Sequence, residues 1–139
     1  MFRSDSGVST GDHMQVVLWE DIDGDGDPGT NASLVYSETL TVTTVSDVAW
    51  NHFELSQPVR FDGPGDVLIG VVARQVATTQ SLYPAALDRG SSQQRSWGGQ
   101  YSGEVPDPPT LPPDGLWGLM DDFGFPGNWL LRGEGCPVE

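Results

Sequence analysis

The chain contains no lysine. Its six basic residues are Arg3, Arg60, Arg74, Arg89, Arg95 and Arg132, set against 20 acidic ones for a net charge of -14. A surface of that sign repels phosphate, which argues against nucleic acid or an anionic membrane face as partner. Cysteine is nearly missing as well: Cys136 stands alone, so no internal disulfide can form and the redox compartment is left unmarked. Histidine occurs only as His13 and His52. No apolar run approaches the roughly 20 residues that cross a bilayer as a helix; the longest covers residues 67–73. Residues 1–13 lack the apolar stretch of a secretory leader, so the expectation is a cytosolic protein, a mature form or a domain cut from a longer chain.

What is present points to a folded β protein. At 139 residues the chain matches one domain. Five Trp, five Phe and 37% hydrophobic residues are too rich in large apolar groups for a disordered acidic chain. With 18 Gly and 11 Pro, about a fifth of the sequence is punctuation, which excludes long helices. Residues 1–14 are small and polar and read as an N-terminal arm, with the domain proper at 15–139.

Short β-rich runs follow one another from residue 15. Residues 15–20 (QVVLWE) form the first. In residues 34–45 (LVYSETLTVTTV), Leu34, Tyr36, Leu40 and Val42 share one parity and Ser or Thr dominate the other, the two-residue period of a strand with one wet side. Residues 50–61 repeat this pattern through Phe53, Leu55, Val59 and Phe61, with Pro58 placing that strand at an edge. Residues 66–76 (DVLIGVVARQV) are apolar on both faces and predict a central strand. Shorter runs lie at 82–87, 92–97, 116–120 and 128–132. The five prolines of residues 105–114 (VPDPPTLPPD) read as an extended surface loop. About eight short strands without helical periodicity predict an all-β fold, an antiparallel β-sandwich of jelly-roll kind.

The most informative stretch is residues 21–27, DIDGDGD. Asp21, Asp23, Asp25 and Asp27 alternate with residues that include Gly24 and Gly26, which lets the backbone curl and the carboxylates converge. Four such groups repel one another unless a cation neutralises them, and Ca²⁺, with its 6–8 oxygen ligands, is the natural guest. Position 12 of the loop, counted from Asp21, is Ala32 rather than a bidentate Glu, and the flanks read as strands, so this is not an EF-hand. The alternative is a solvated acidic turn.

A second candidate site gathers around Trp97. Gln94, Arg95, Trp97 and Tyr101 lie in a glycine-flanked stretch, with Trp117 a further aromatic. A flat indole face beside amides and a guanidinium is a way to hold a sugar; the alternative is that Trp97 closes one end of the fold. Trp19 and Trp129 lie in apolar runs and read as core. Catalytic signatures are sparse, with no G-x-S-x-G, H-E-x-x-H or P-loop. His52 and Glu54 share a strand face, and a small hydrolase using His52 with nearby carboxylates is the enzymatic alternative. Adjacent Asp121 and Asp122 point to opposite sides of a strand, so they either begin a turn or lend an oxygen to a distant ion.

Taken together, VVLWEDIDGDGDPG, FELSQPVRFDGPGDVLIGVVA, YPAALD, RSW and GFPGNWLLRGEG resemble small secreted bacterial β-sandwich accessory domains of the galactose-binding-like and pre-peptidase C-terminal-like kind, over residues 15–135. The resemblance implies a non-catalytic extracellular module in a larger secreted protein, with structural Ca²⁺ on the early Asp-rich turn and carbohydrate or protein as ligand. Such domains begin with a strand that residues 1–14 barely supply. The expectation is therefore a monomer if the arm folds back onto the sheet and an edge-paired dimer if it does not, the monomer being favoured because Pro58 and the acidic turns blunt an edge.

Overall fold

The computed structural model of the chain describes residues 7–46, 48–74 and 85–136. Three strands, β1 (His13–Asp21), β2 (Ala32–Thr41) and β3 (Asp66–Ala73), form an antiparallel sheet in the order β2-β1-β3. A one-turn helix, α1 (Pro28–Asn31), lies between β1 and β2. The other strands are short. β4 (Leu87–Asp88) pairs with β7 (Asn128–Trp129), and β5 (Trp97–Gln100) pairs with β6 (Leu116–Leu119), both antiparallel. The β-rich, antiparallel character expected from the sequence holds, with seven strands in three sheets among the described residues. The end of the run at 66–76 and the first half of that at 82–87 lie outside the described residues.

The centre of the main sheet is β1, not the strand at 66–76. Met14, Gln15, Val17, Leu18, Trp19 and Asp21 are all buried, so β1 is covered on both faces, whereas β3 is only half-buried and Val67 lies in solvent. One face of β1 joins the main core, where Met14 and Val16 pack with Val8, Leu40, Val42, Phe53, Val71 and Leu131. The opposite face carries Val17, Trp19 and Asp21. Trp19 fits there because β3 has Gly70 beside it: a Cβ on Gly70 would stand 2.7 Å from Trp19 Cζ3 and 2.9 Å from Val17 Cγ2.

The segment read as an arm is tied down from Val8 onward. Val8 and Met14 are core residues, and Gly11 N–H to Val42 O (2.9 Å) with Val42 N–H to Asp12 O (2.8 Å) extends the pairing past the start of β1. Tyr36, Leu40 and Val42 are buried as their shared parity predicts. Between Leu18 and Trp19 the register with β2 shifts: Leu18 faces Tyr36 and Trp19 faces Leu34, leaving Val35 as the extra, exposed residue of a bulge.

No strand forms over residues 50–61, contrary to the sequence reading, apart from a single bridge at Asn51. The reason is local hydrogen bonding. Asn51 Oδ1 accepts from the N–H groups of Thr43 and Thr44 (2.9 and 3.0 Å), and its Nδ2 donates to Thr44 O (2.8 Å). A buried side chain thus takes main-chain groups that a strand partner would use, and β2 stops at Thr41. Ser56 N–H is likewise held by Glu38 Oε2 (3.1 Å). The proline loop lies against the sheet through Arg74, whose guanidinium donates to Gln15 Oε1 (2.8 Å), Val105 O (2.9 Å), Pro106 O (2.9 Å) and Asp107 Oδ1 (3.0 Å).

Candidate metal centre

The acidic loop begins where β1 ends. Asp21 is the last residue of that strand and lies on the face that also buries Val17 and Trp19, so its side chain is carried inward with theirs. Beyond it the chain turns sharply through Gly24 (φ 60°) and Gly26 (φ 86°), in the left-handed region where glycine is at ease. Each aspartate then braces the backbone two residues on: Asp23 Oδ1 accepts from Asp25 N–H (3.3 Å), Asp25 Oδ1 from Asp27 N–H (2.7 Å) and Asp27 Oδ1 from Gly29 N–H (2.9 Å). The last of these caps α1, which Pro28 opens. The turn at 62–65 closes over the loop from the side of β3. Gly65 sits so near Asp21 O that no Cβ would fit, at a φ of 147° that disfavours other residues.

This folding brings one carboxylate oxygen each of Asp21, Asp23 and Asp25 within 4.8 Å of one another, a group that can hold a metal ion. Asp21 is 1% exposed, and neither of its oxygens has a hydrogen-bond partner. Burial is the first cause raising its carboxyl above the usual carboxylate range, followed by Asp23, with further repulsion from Asp25 and Asp66. Asp23 is pushed the other way, chiefly by the amide of Asn31 and then by the N–H of Asp25. Two ionised carboxylates facing each other are both acceptors, so a proton or a cation between Asp21 and Asp23 relieves their repulsion.

Of the four aspartates singled out by their spacing, three converge. Asp27 lies outside the group, and its side chain serves as the helix cap. Two residues that the spacing does not reveal stand at the site. Asn31, at the end of α1, donates from Nδ2 to Asp23 Oδ2. Asp66 is paired in register with Asp21 at the mouth of the sheet and is approached by Arg95 Nη1 at 3.6 Å. Asn31 was within reach of the sequence as a polar residue inside the loop. Asp66 was not, because only the β1–β3 register places it there.

The residues of the second candidate site are partly assembled. Trp97 and Trp117 stack, with ring centroids 5.3 Å apart and planes at 14°. They can do so because β5 and β6 set Gly99 opposite Trp117, leaving room for both rings on one face. Arg95 turns to Asp66. Tyr101 donates to Thr110 O (2.7 Å), and burial raises its phenol above the usual value. Gln94 is exposed at a φ of 55°. Trp19 is buried, and half-buried Trp129 donates from Nε1 to Trp97 O (2.7 Å). His52 is exposed and does not line the shallow groove of about 130 Å³ formed by Val16, Glu38, Thr39, Leu40, Phe53, Glu54 and Leu55. Asp121 accepts from Ser92 Oγ (2.8 Å) and opens the turn to Gly124.

Comparison with known protein families, with curated protein sequences and with solved structures finds no match.

Proposed function

We propose that this chain is a non-catalytic binding module of β-sandwich, jelly-roll kind whose first hairpin loop is held by a structural Ca²⁺ ion. The observation that carries the reading is the buried, unbonded carboxylate of Asp21 facing Asp23 and Asp25. A buried charge without a partner is costly, and a cation removes the cost at that point. The donors favour Ca²⁺ by their chemistry. They are all oxygens, with no His or Cys among them, which disfavours Zn²⁺ and Cu²⁺. The loop is glycine-rich and adaptable, which suits the variable coordination of Ca²⁺ better than the strict octahedron of Mg²⁺.

The same reading makes the module an accessory or adhesion part of a secreted protein, since free Ca²⁺ is plentiful outside cells. The stacked Trp97 and Trp117, with Arg95, Gln94 and Tyr101 near them in sequence, support carbohydrate as the ligand class. Calorimetric titration with CaCl₂ tests the ion. One ion bound per chain, with heat that vanishes when Asp23 is changed to Ala, is the expected result. No heat in the intact chain overturns it. A glycan array with the Ca²⁺-loaded protein tests the ligand class.

A further inference from the structure

We infer that the acidic loop and the Trp97–Trp117 pair form one coupled unit, in which a cation bound at Asp21, Asp23 and Asp25 sets the position of the two indoles. This rests on the cation reading of the loop and concerns what the ion does beyond its own site.

Two contacts join the loop to the β5–β6 ribbon. The first runs through α1. Gly29 lies directly against the indole of Trp117: a Cβ on Gly29 would stand 2.7 Å from Trp117 Nε1 and 3.2 Å from Cδ1. Gly29 is in turn held by Asp27, Asp27 by Asp25, and Asp25 by Asp23, through the succession of side-chain to N–H bonds already described. Asn31, at the far end of the same turn, grips Asp23. Whatever moves Asp23 and Asp25 therefore moves the seat of Trp117. The second contact is the Arg95–Asp66 ion pair, which ties the chain just before Trp97 to the residue paired with Asp21. In solvent this pair is weak, so the Gly29 contact is the main link.

The ribbon is the part of the fold that such a link can govern. Two strands alone are marginal and take their order from what they pack on. One face of the ribbon is glycine, Gly98 and Gly118, against Met120 and Phe123. The other is the tryptophan face, which rests on Pro113 and on Gly29. Trp117 Nε1 is buried without a hydrogen-bond partner beside α1, so the indole is held there by shape alone. A helix turn shifted by ion binding meets no hydrogen bond of that nitrogen that would fix the ring in place.

The test uses the full chain with CaCl₂ as the only probe, and reads binding heat by calorimetry and the exciton couplet of the stacked indoles by circular dichroism. The expected result is a couplet that changes in step with the heat. The change should disappear in Trp117→Phe, in which the heat persists. Because coupling is reciprocal, Trp117→Phe and Gly29→Ala should each weaken Ca²⁺ binding about fivefold or more. Should Trp117→Phe fail to fold, Gly29→Ala carries the affinity measurement. Heat without any change in the couplet overturns the coupling and leaves the cation site standing. A change that survives in Trp117→Phe also overturns it, since the signal then comes from another tryptophan, as does unaltered affinity in the folded variants. No heat at all overturns the site and the coupling together.

Discussion

Replacing Asp21 by Asn separates two effects that the acidic loop combines. In the ion-free protein the Asp21 carboxylate is buried, unbonded and faced by Asp23, Asp25 and Asp66. Asn keeps the shape and removes the charge, so ion-free Asp21→Asn should melt at or above the ion-free parent. With Ca²⁺ present the order reverses. At 100 times Kd an ion that binds only the native state adds about 2.7 kcal/mol. For 139 residues, at about 2.1 cal/mol/K of unfolding entropy per residue, that is a rise of about 9 °C in Tm. If the variant binds about 100-fold more weakly, the same Ca²⁺ concentration adds about 0.4 kcal/mol, a rise of about 1 °C. Differential scanning calorimetry of both proteins, in chelator and in CaCl₂ at matched ionic strength, reads all four values. A parent that melts identically in the two solutions would refute the reasoning. So would an ion-free variant that melts well below the parent, because the carboxylate would then be stabilising the empty loop.

Acidification should weaken Ca²⁺ binding. Asp21 is raised above the usual carboxylate range, so its protonation favours the ion-free fold at low pH and that contribution is lost as pH rises through its native value, where the cation takes over. Calorimetry in two buffers of different ionisation heat should show proton release on Ca²⁺ binding above the usual carboxylate range, and pH-independent affinity there would count against it. Arg74→Ala should destabilise by about 2–3 kcal/mol, since it strands buried Gln15 and frees the loop at 105–107. Arg74→Lys should recover little, because a single ammonium cannot reach all four acceptors; urea unfolding with limited proteolysis of the proline loop checks both. Gly70→Ala should cost about 1–3 kcal/mol by driving a methyl into Trp19 and Val17, and an unchanged urea midpoint would show that the indole has room to move.

How far the sequence disclosed this structure depended on whether the signal was local. The alternation in Tyr36, Leu40 and Val42 is a property of one strand, and these residues are buried together. The convergence of Asp21, Asp23 and Asp25 follows from spacing and two glycines, and it too was legible. The centrality of β1 was not: its polar ends hide a strand whose Gln15 and Asp21 are buried by neighbours on both sides. Residues 50–61 alternate like a strand, yet the side chain of Asn51 spends its hydrogen bonds on Thr43 and Thr44, a choice that no hydrophobic period encodes. Asp27 stands in the same run of aspartates, but its position just before Pro28 gives its side chain a task that the spacing does not announce, the capping of α1. Asp66 and the contact of Gly29 with Trp117 depend on pairing across long stretches of chain, which a single sequence does not display.

The strand order also decides when the acidic loop makes itself felt. β1 meets β2 across only residues 22–31, but reaches β3 only after the chain has passed through residues 42–65. Closing the shorter connection is the faster event, so the hairpin of β1 and β2 precedes the arrival of β3. Its turn is the place where the aspartates are forced together, at a moment when Gly65 and Asp66 have not yet covered Asp21. Most of the cost of Asp21, which comes from its burial, falls due when β3 arrives, and an ion already bound in the hairpin would speed that step as well as slow unfolding. The same loop would then act on the rate of folding as well as on the stability of the finished protein.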